Sequence, residues 1–275
     1  MTIEDRQPDS YRQQRRPIGY IDPFAINILH MRNPWAVAWW SAAFPGFGFI
    51  LLGSYLKGFL FVIWELVINQ KSHLNLAIYY SFTGRFDQAK TVLDLNWLLL
   101  YVPVYIFGIW LSYRATVDLN KLTILANREE SSIIPVKINS WEIAALDKRV
   151  PWLAAVLSLL SPGIGQLYTH RVFTSFFLML ELIVVVYYAN WLPALHYTMT
   201  GAFSQAKTIL DPQWLLYFPS LIGFAIYDAY THAVQYNRFF DEEQSRFLRK
   251  NYQSANLTLA LKKILEDGNV HRRNL

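Results

Sequence analysis

Apolar residues gather along this chain into long runs separated by polar connections, and a run able to cross a membrane as a helix needs about 20 mostly apolar residues. Pro34 to Leu56, Leu95 to Tyr113, Pro151 to Thr169 and Leu182 to Ala206 contain no Asp, Glu, Lys or Arg. Gly58 to Ile68 and Val172 to Tyr188 are each interrupted by one carboxylate, Glu65 and Glu181, and Pro212 to Val234 is interrupted once, by Asp228. Buried helices of a large soluble enzyme produce one such run, not a series. The pattern predicts an all-α, polytopic integral membrane protein. Trp35, Trp39, Trp110, Trp152, Tyr188, Trp191 and Trp214 stand near the ends of the runs, where amphipathic rings suit the headgroup level.

The runs are also duplicated. Thr83 to Leu99 and Thr200 to Leu216 are identical at 12 of 17 positions, and the same shift places Pro45-Gly46-Phe47-Gly48 on Pro162-Gly163-Ile164-Gly165 and Asn120 on Asn237. Allowing one deletion, Glu65 falls on Glu181. Each copy reads as segment a with its PGxG, segment b with its Glu, a polar loop TGxFxQAKTxLDxxW, and segment c ending in Tyr and Asn. Residues 34–121 and 151–238 are therefore two parallel three-segment membrane repeats with broken helices at PGxG. Around them lie a polar arm (1–33), a linker (122–150) and a helical tail (239–275). In the linker, Asn139 or Ser140 is an N-cap for a short amphipathic helix from Trp141 to Leu146.

Charge then orients the runs. If segments b and c cross fully and segment a folds back at its PGxG, 21 of the 25 lysines and arginines fall on one side and four on the other. The positive-inside rule prefers this to three crossings per repeat. Four crossings result, with arm, linker and tail cytoplasmic and both QAK loops outside. The polar arm holds no short apolar block, so no cleaved secretory signal is expected. The absence of cysteine excludes disulfides and thiolate metal sites.

The second repeat reads SPGIGQLYTHRVF at Ser161 to Phe173 and IYDAYTHAVQYN at Ile226 to Asn237. It resembles the small prokaryotic membrane domains built from a helix pair, in which a PGxGQxYxG-type turn closes the first helix and an Asp-Ala-Tyr element with a later Asn closes the second. The resemblance implies an integral membrane domain often found beside other modules and mostly without assigned activity. Its polar positions here are Gln166, Tyr168 and His170 in the turn, and Asp228 with His232 in the second element. The first repeat departs from it, with Phe49 for Gln166 and Leu111 for Asp228.

Candidate chemistry follows from the polar residues inside the runs. A carboxylate at membrane depth is costly and points to function. Glu65 and Glu181, if near the pseudo-twofold axis, would share a proton or a cation; a hydroxyl, Lys57 or Arg171 could instead take each one. Asp228 and His232 share a helix face, fit for a proton relay, a metal with His170, or a packing contact. In the loops, Gln88, Lys90, Gln205 and Lys207 sit on short helices, while Asp94 and Asp211 are placed to cap segment c. No nucleophile-and-base constellation, metal-spaced cluster or nucleotide loop is present, and acids Asp241, Glu242, Glu243 and Glu266 interleave the basic tail. The expectation is a non-enzymatic binding or assembly component, in the bilayer, with a membrane protein or a second copy as partner and with neither cofactor nor nucleic acid. The alternative is a small transporter or channel using Glu65 and Glu181.

Overall fold

Proline opens the first helix of each half, because its fixed φ suits a first turn where its missing N–H is not needed. Pro34 begins α1 (Pro34–Ala43) and Pro151 begins α7 (Pro151–Leu160). The computed structural model describes residues 19–21, 26–129, 133–134, 136–138 and 143–253. The first half continues through α2 (Phe47–Leu51), α3 (Tyr55–Ser72), α4 (Leu74–Phe82), α5 (Phe86–Val92) and α6 (Leu95–Arg128). The second continues through α8 (Ile164–Tyr168), α9 (Val172–Tyr188), α10 (Trp191–Met199), α11 (Phe203–Ile209), α12 (Pro212–Leu215) and α13 (Phe218–Tyr252).

The fold of the described residues is helical, with short strands only in the arm and the linker. β1 (Gly19–Ile21) pairs antiparallel with β2 (Ile26–Ile28) and parallel with β3 (Ile133–Ile134), while β4 (Val136–Ile138) pairs antiparallel with β5 (Ile143–Ala145). The linker helix expected from Trp141 to Leu146 is thus replaced at its centre by β5. The linker supplies Ile133, Ile134, Val136, Ile138 and Ile143, whose branched side chains favour the pleated backbone. Asn139, Ser140 and Trp141 lie outside the described residues, as does the tail beyond residue 253.

Each left-handed residue of the first half has a counterpart 117 positions on: Gly46 and Gly163, Gly53 and His170, His73 and Asn190, Gly84 and Gly201. Since the register is the same on both sides of α3 and α9, no deletion separates them. This corrects the pairing of the two acids: Glu65 corresponds to Leu182, and Glu181 to Trp64. One residue of offset turns a helical position by about 100°.

By length and composition one helix, α6, can cross a membrane alone. Up to three spans result if α9 with α10 (bent 62°) and α11 with α12–α13 (bent 84°) each count as one. That is fewer than the four expected. α3 falls short because its 18 residues carry Lys57, Glu65 and Lys71.

At each PGxG the chain turns back. Gly46 and Gly163 both take φ of 105°, a conformation rare for any residue with a side chain. The second glycine of each motif lets the short helix lie on the one before it: a Cβ on Gly48 would meet Ser41 Oγ at 2.1 Å, and one on Gly165 would meet Ser158 Oγ at 2.1 Å. The freed carbonyls at the end of α1 are answered from the long helices, since Tyr105 donates to Ala42 O at 2.8 Å and Ser220 to Ala43 O at 3.1 Å. The two halves meet through stacked rings. Phe47 lies on Phe224 with centroids 4.1 Å apart, and Phe59 on Phe177 at 4.0 Å.

Candidate functional site

The asparagine expected to end each segment c stands inside its helix, since α6 runs on to Arg128 and α13 to Tyr252, and it has a definite task. Asn120 accepts from the Arg32 N–H at 2.9 Å and donates to the Arg32 carbonyl at 2.8 Å, fixing the backbone just ahead of α1. Asn237 does the same for Arg149 ahead of α7, at 2.8 and 2.7 Å. In the second half Tyr168 supports this junction, with its hydroxyl accepting from Val150 N at 3.0 Å and its ring under the Arg149 guanidinium at 5.3 Å.

Gln166 and Asp228, the polar pair of the turn and of the Asp-Ala-Tyr element, are in contact. Gln166 Oε1 accepts from Gly163 N at 3.2 Å and from Ser158 Oγ at 3.3 Å, while its Nε2 donates to Ala225 O at 2.8 Å and to Asp228 Oδ2 at 3.1 Å. One fully buried amide thus ties the PGxG turn to α13. Asp228 pairs in turn with Arg171, both side chains being 2% exposed. Arg171 also donates to Ile50 O at 3.2 Å, across the junction into the first half. Taking one partner from such a buried pair leaves an uncompensated charge.

Asp228 is therefore committed to Arg171 and Gln166. Among the described residues no three His, Cys, Asp or Glu side chains converge on a metal position. His232 is buried one turn further along α13, its Nε2 without a hydrogen-bond partner among the described residues. His170 occupies the left-handed position after the turn, at φ 62°.

Glu65 and Glu181 belong to different surroundings. Glu65, 4% exposed, accepts from Asn69 Nδ2 at 2.8 Å and stands at one edge of a second buried cluster. In it Asn69 Nδ2 donates to Asn75 Oδ1 at 3.1 Å, and Gln213 Nε2 donates to Asn69 Oδ1 at 2.9 Å. Gln213 Oε1 accepts from Leu76 N at 2.7 Å, so the cluster also joins the halves. Glu181, likewise 4% exposed, has no hydrogen-bond partner at either oxygen among the described residues.

In the loops, Gln88, Lys90, Gln205 and Lys207 lie exposed on α5 and α11. Asp94 caps α6 by accepting from Asn96 N at 2.9 Å, and Asp211 caps α12 by accepting from Gln213 N at 2.8 Å.

The sequence reading passed over Arg32, Asn69, Asn75 and Gln213. A signal for them exists in the differences between the copies: Asn69 and Asn75 stand where the second half has Val186 and Leu192. Conversely, the first half has Phe49, Ser54, Leu111 and Ala115 where the second has Gln166, Arg171, Asp228 and His232. The fold and the site define a helical protein whose broken helices pack around two buried polar clusters at the junction of its halves. Comparison with protein-family models, with curated proteins and with solved structures returned no match.

Proposed function

We propose that the chain is a multi-pass protein of the cell membrane, made of two parallel repeats, that works as a binding or assembly component of a membrane complex. What carries this reading is the inversion of polarity across its helices. Leu56, Leu60, Ile63 and Val67 lie exposed along one face of α3, Phe173, Phe176, Leu180 and Ile183 along α9, and Leu99, Ile106 and Trp110 along α6. The opposite faces bury Glu65, Asn69 and Glu181. A water-soluble monomer rarely exposes apolar surface so continuously, and lipid would cover it. The Tyr105 and Ser220 hydroxyls that donate to the Ala42 and Ala43 carbonyls support a re-entrant segment a, because broken backbone at membrane depth needs protein partners. In this reading α6, α9 and α12–α13 cross, and α3 crosses despite its charges because Glu65 is buried against the other helices and Lys57 and Lys71 stand near its ends, with the arm, linker and tail cytoplasmic.

The halves are closed on each other by stacked rings, Phe47 on Phe224 and Phe59 on Phe177, which favours binding or assembly over transport. A small ion transporter is the second reading, favoured by the buried Glu181 carboxyl, whose two oxygens have no hydrogen-bond partner among the described residues. The cysteine-free chain suits single-cysteine labelling. Positions in 84–92 and in 122–138 should label from opposite faces, and labelling from one face sinks the topology. Solute flux in liposomes bearing the pure protein separates the two functions: acid-dependent flux lost in E65Q/E181Q means transport, whereas a stoichiometric partner without flux means assembly.

A further inference from the structure

The two halves meet one-sidedly. Phe47 of the first stacks on Phe224 of the second, Phe59 stacks on Phe177, and Asn75 and Leu76 both donate to Gln213. Were the halves joined about a twofold axis, each contact would recur with the halves exchanged. The recurring contacts, 117 positions away, would be Ile164 with Phe107, Phe176 with Leu60, and Leu192 and Pro193 with Asn96. All of these residues but Ile164 are exposed instead. Phe107 is 51% exposed where Phe224 is fully buried, Leu192 is 59% exposed where Asn75 is 8%, and Leu60 and Phe176 are 59% and 62% exposed. The junction is therefore head-to-tail, and each half keeps open the face that its counterpart uses: α3 and α6 on the first half, α8 to α10 on the second.

The open face of the second half is recessed. A half-open pocket of about 610 Å³ lies at the bend between α9 and α10, bounded by Val186, Tyr188, Asn190, Leu192 and Pro193. Val186, Leu192 and Pro193 hold the backbone positions at which Asn69, Asn75 and Leu76 engage Gln213 in the first half. The pocket thus stands where a neighbouring repeat would insert the start of its last segment. On the first half that start carries Leu95, 64% exposed, just ahead of Asn96, an apolar group for a mostly apolar pocket.

We propose that a second copy of this chain docks its α6 face on the α8 to α10 face of the first, repeating between chains the contact made between halves. This rests on the membrane reading and names the partner of the assembly. A head-to-tail contact propagates, and repeats lying in one bilayer can have no rise along the axis, so the chains close into a ring instead of growing a filament. Halves alternate around it, first to second within a chain and second to first between chains. Lipid keeps the positions exposed in both halves, such as Leu56 with its counterpart Phe173 and Ile63 with Leu180. Positions buried in one half and exposed in the other go to the partner, covered by the close side-chain packing that joins helices in lipid.

Leu60 and Phe176 take the places of the stacked pair Phe177 and Phe59, so cysteines there should meet between chains. Two differently tagged full-length forms, one L60C and the other F176C, are co-expressed, checked for retention in the membrane after carbonate extraction, and oxidised with copper phenanthroline. The disulfide joining the tags should exceed that from I63C with L180C about tenfold or more, and neither L60C nor F176C should cross-link to itself. Phosphatidylcholine nanodiscs should hold two or more parent chains, and F107A should weaken their association about tenfold or more. An equal yield from the lipid-facing pair, self-cross-linking of either single variant, or one chain per disc overturns the proposal, as does one chain paired with an unlike protein. Release by carbonate sinks the membrane reading and the ring with it, whereas retention without the disulfide sinks the second copy alone.

Discussion

Asn237 grips Arg149 by the backbone at both of its polar groups, accepting from the N–H at 2.8 Å and donating to the carbonyl at 2.7 Å. Replacing Asn237 by Ala removes both bonds and exposes two backbone groups to poorer partners. The expected loss is about 1–3 kcal/mol in thermal unfolding, with Asn120→Ala behaving alike. If both variants melt as the parent does, the clasp is incidental.

The two kinds of turn glycine should respond differently to alanine. At Gly48 and Gly165 the new Cβ collides with a serine oxygen 2.1 Å away, whereas at Gly84 and Gly201 nothing lies within 4 Å and only the left-handed φ is strained. Collision in a packed interior costs about 1–3 kcal/mol and sometimes more, and the φ alone about 1–2 kcal/mol. G48A and G165A should therefore express and melt worse than G84A and G201A.

Asp228→Leu leaves Arg171 buried without its carboxylate, at a cost of about 3–5 kcal/mol. The triple variant Q166F/R171S/D228L installs the residues that the first half carries at the same backbone positions and removes the charge altogether. It should be more stable than the single variant despite changing three buried residues. A triple variant less stable than D228L would mean that the cluster is not a self-contained unit.

Leucine should act oppositely at the two acids of the b segments. At Glu181 both carboxyl oxygens are buried without partners, so E181L gains stability or leaves it unchanged. At Glu65 the same change leaves one proton of the Asn69 amide without its acceptor, the other still going to Asn75, and E65L should lose about 1–3 kcal/mol. Chemical denaturation in mixed micelles compares the pair.

His30 carries a pH dependence. Its imidazole lies at about 3 in the folded chain against 6.5 ordinarily, owing to burial and then to Arg32, with Arg238 adding to the shift. Between those values the unfolded chain holds a proton that the folded chain releases. Stability is therefore complete above about pH 6.5 and is lost as pH falls toward 3, by at most about 1.4 kcal/mol per pH unit. Acidification from about pH 7 to about pH 5 should lower the melting temperature, and His30→Gln should flatten that slope.

Much of the backbone was legible in the sequence. Proline marked the helix starts, PGxG the reversals, and Asp94 and Asp211 the caps, because each of these depends on a local steric or hydrogen-bonding rule. The register of Glu65 and Glu181 was misread because two identical residues one position apart invite a gap that the flanking left-handed residues exclude. The linker misled for another reason. Trp141 to Leu146 has a helical spacing, yet its partner strand Val136–Ile138 supplies hydrogen bonds that local periodicity does not reveal. The polar clusters were least legible, since Asn69 and Gln213 meet across 144 positions of sequence and each is ordinary by itself.

The placement of those clusters bears on how the two halves of the chain stay together. One joint needs Asn69 and Asn75 from the first copy with Gln213 from the second, and the other sets Arg171 from the second copy against Ile50 from the first. Two first copies would pair without Arg171, and two second copies without Asn69 or Asn75. Neither homodimer could form both joints. The halves have thus become as dependent on each other as the unlike subunits of an obligate heterodimer, and separating them should yield fragments that recognise each other rather than themselves.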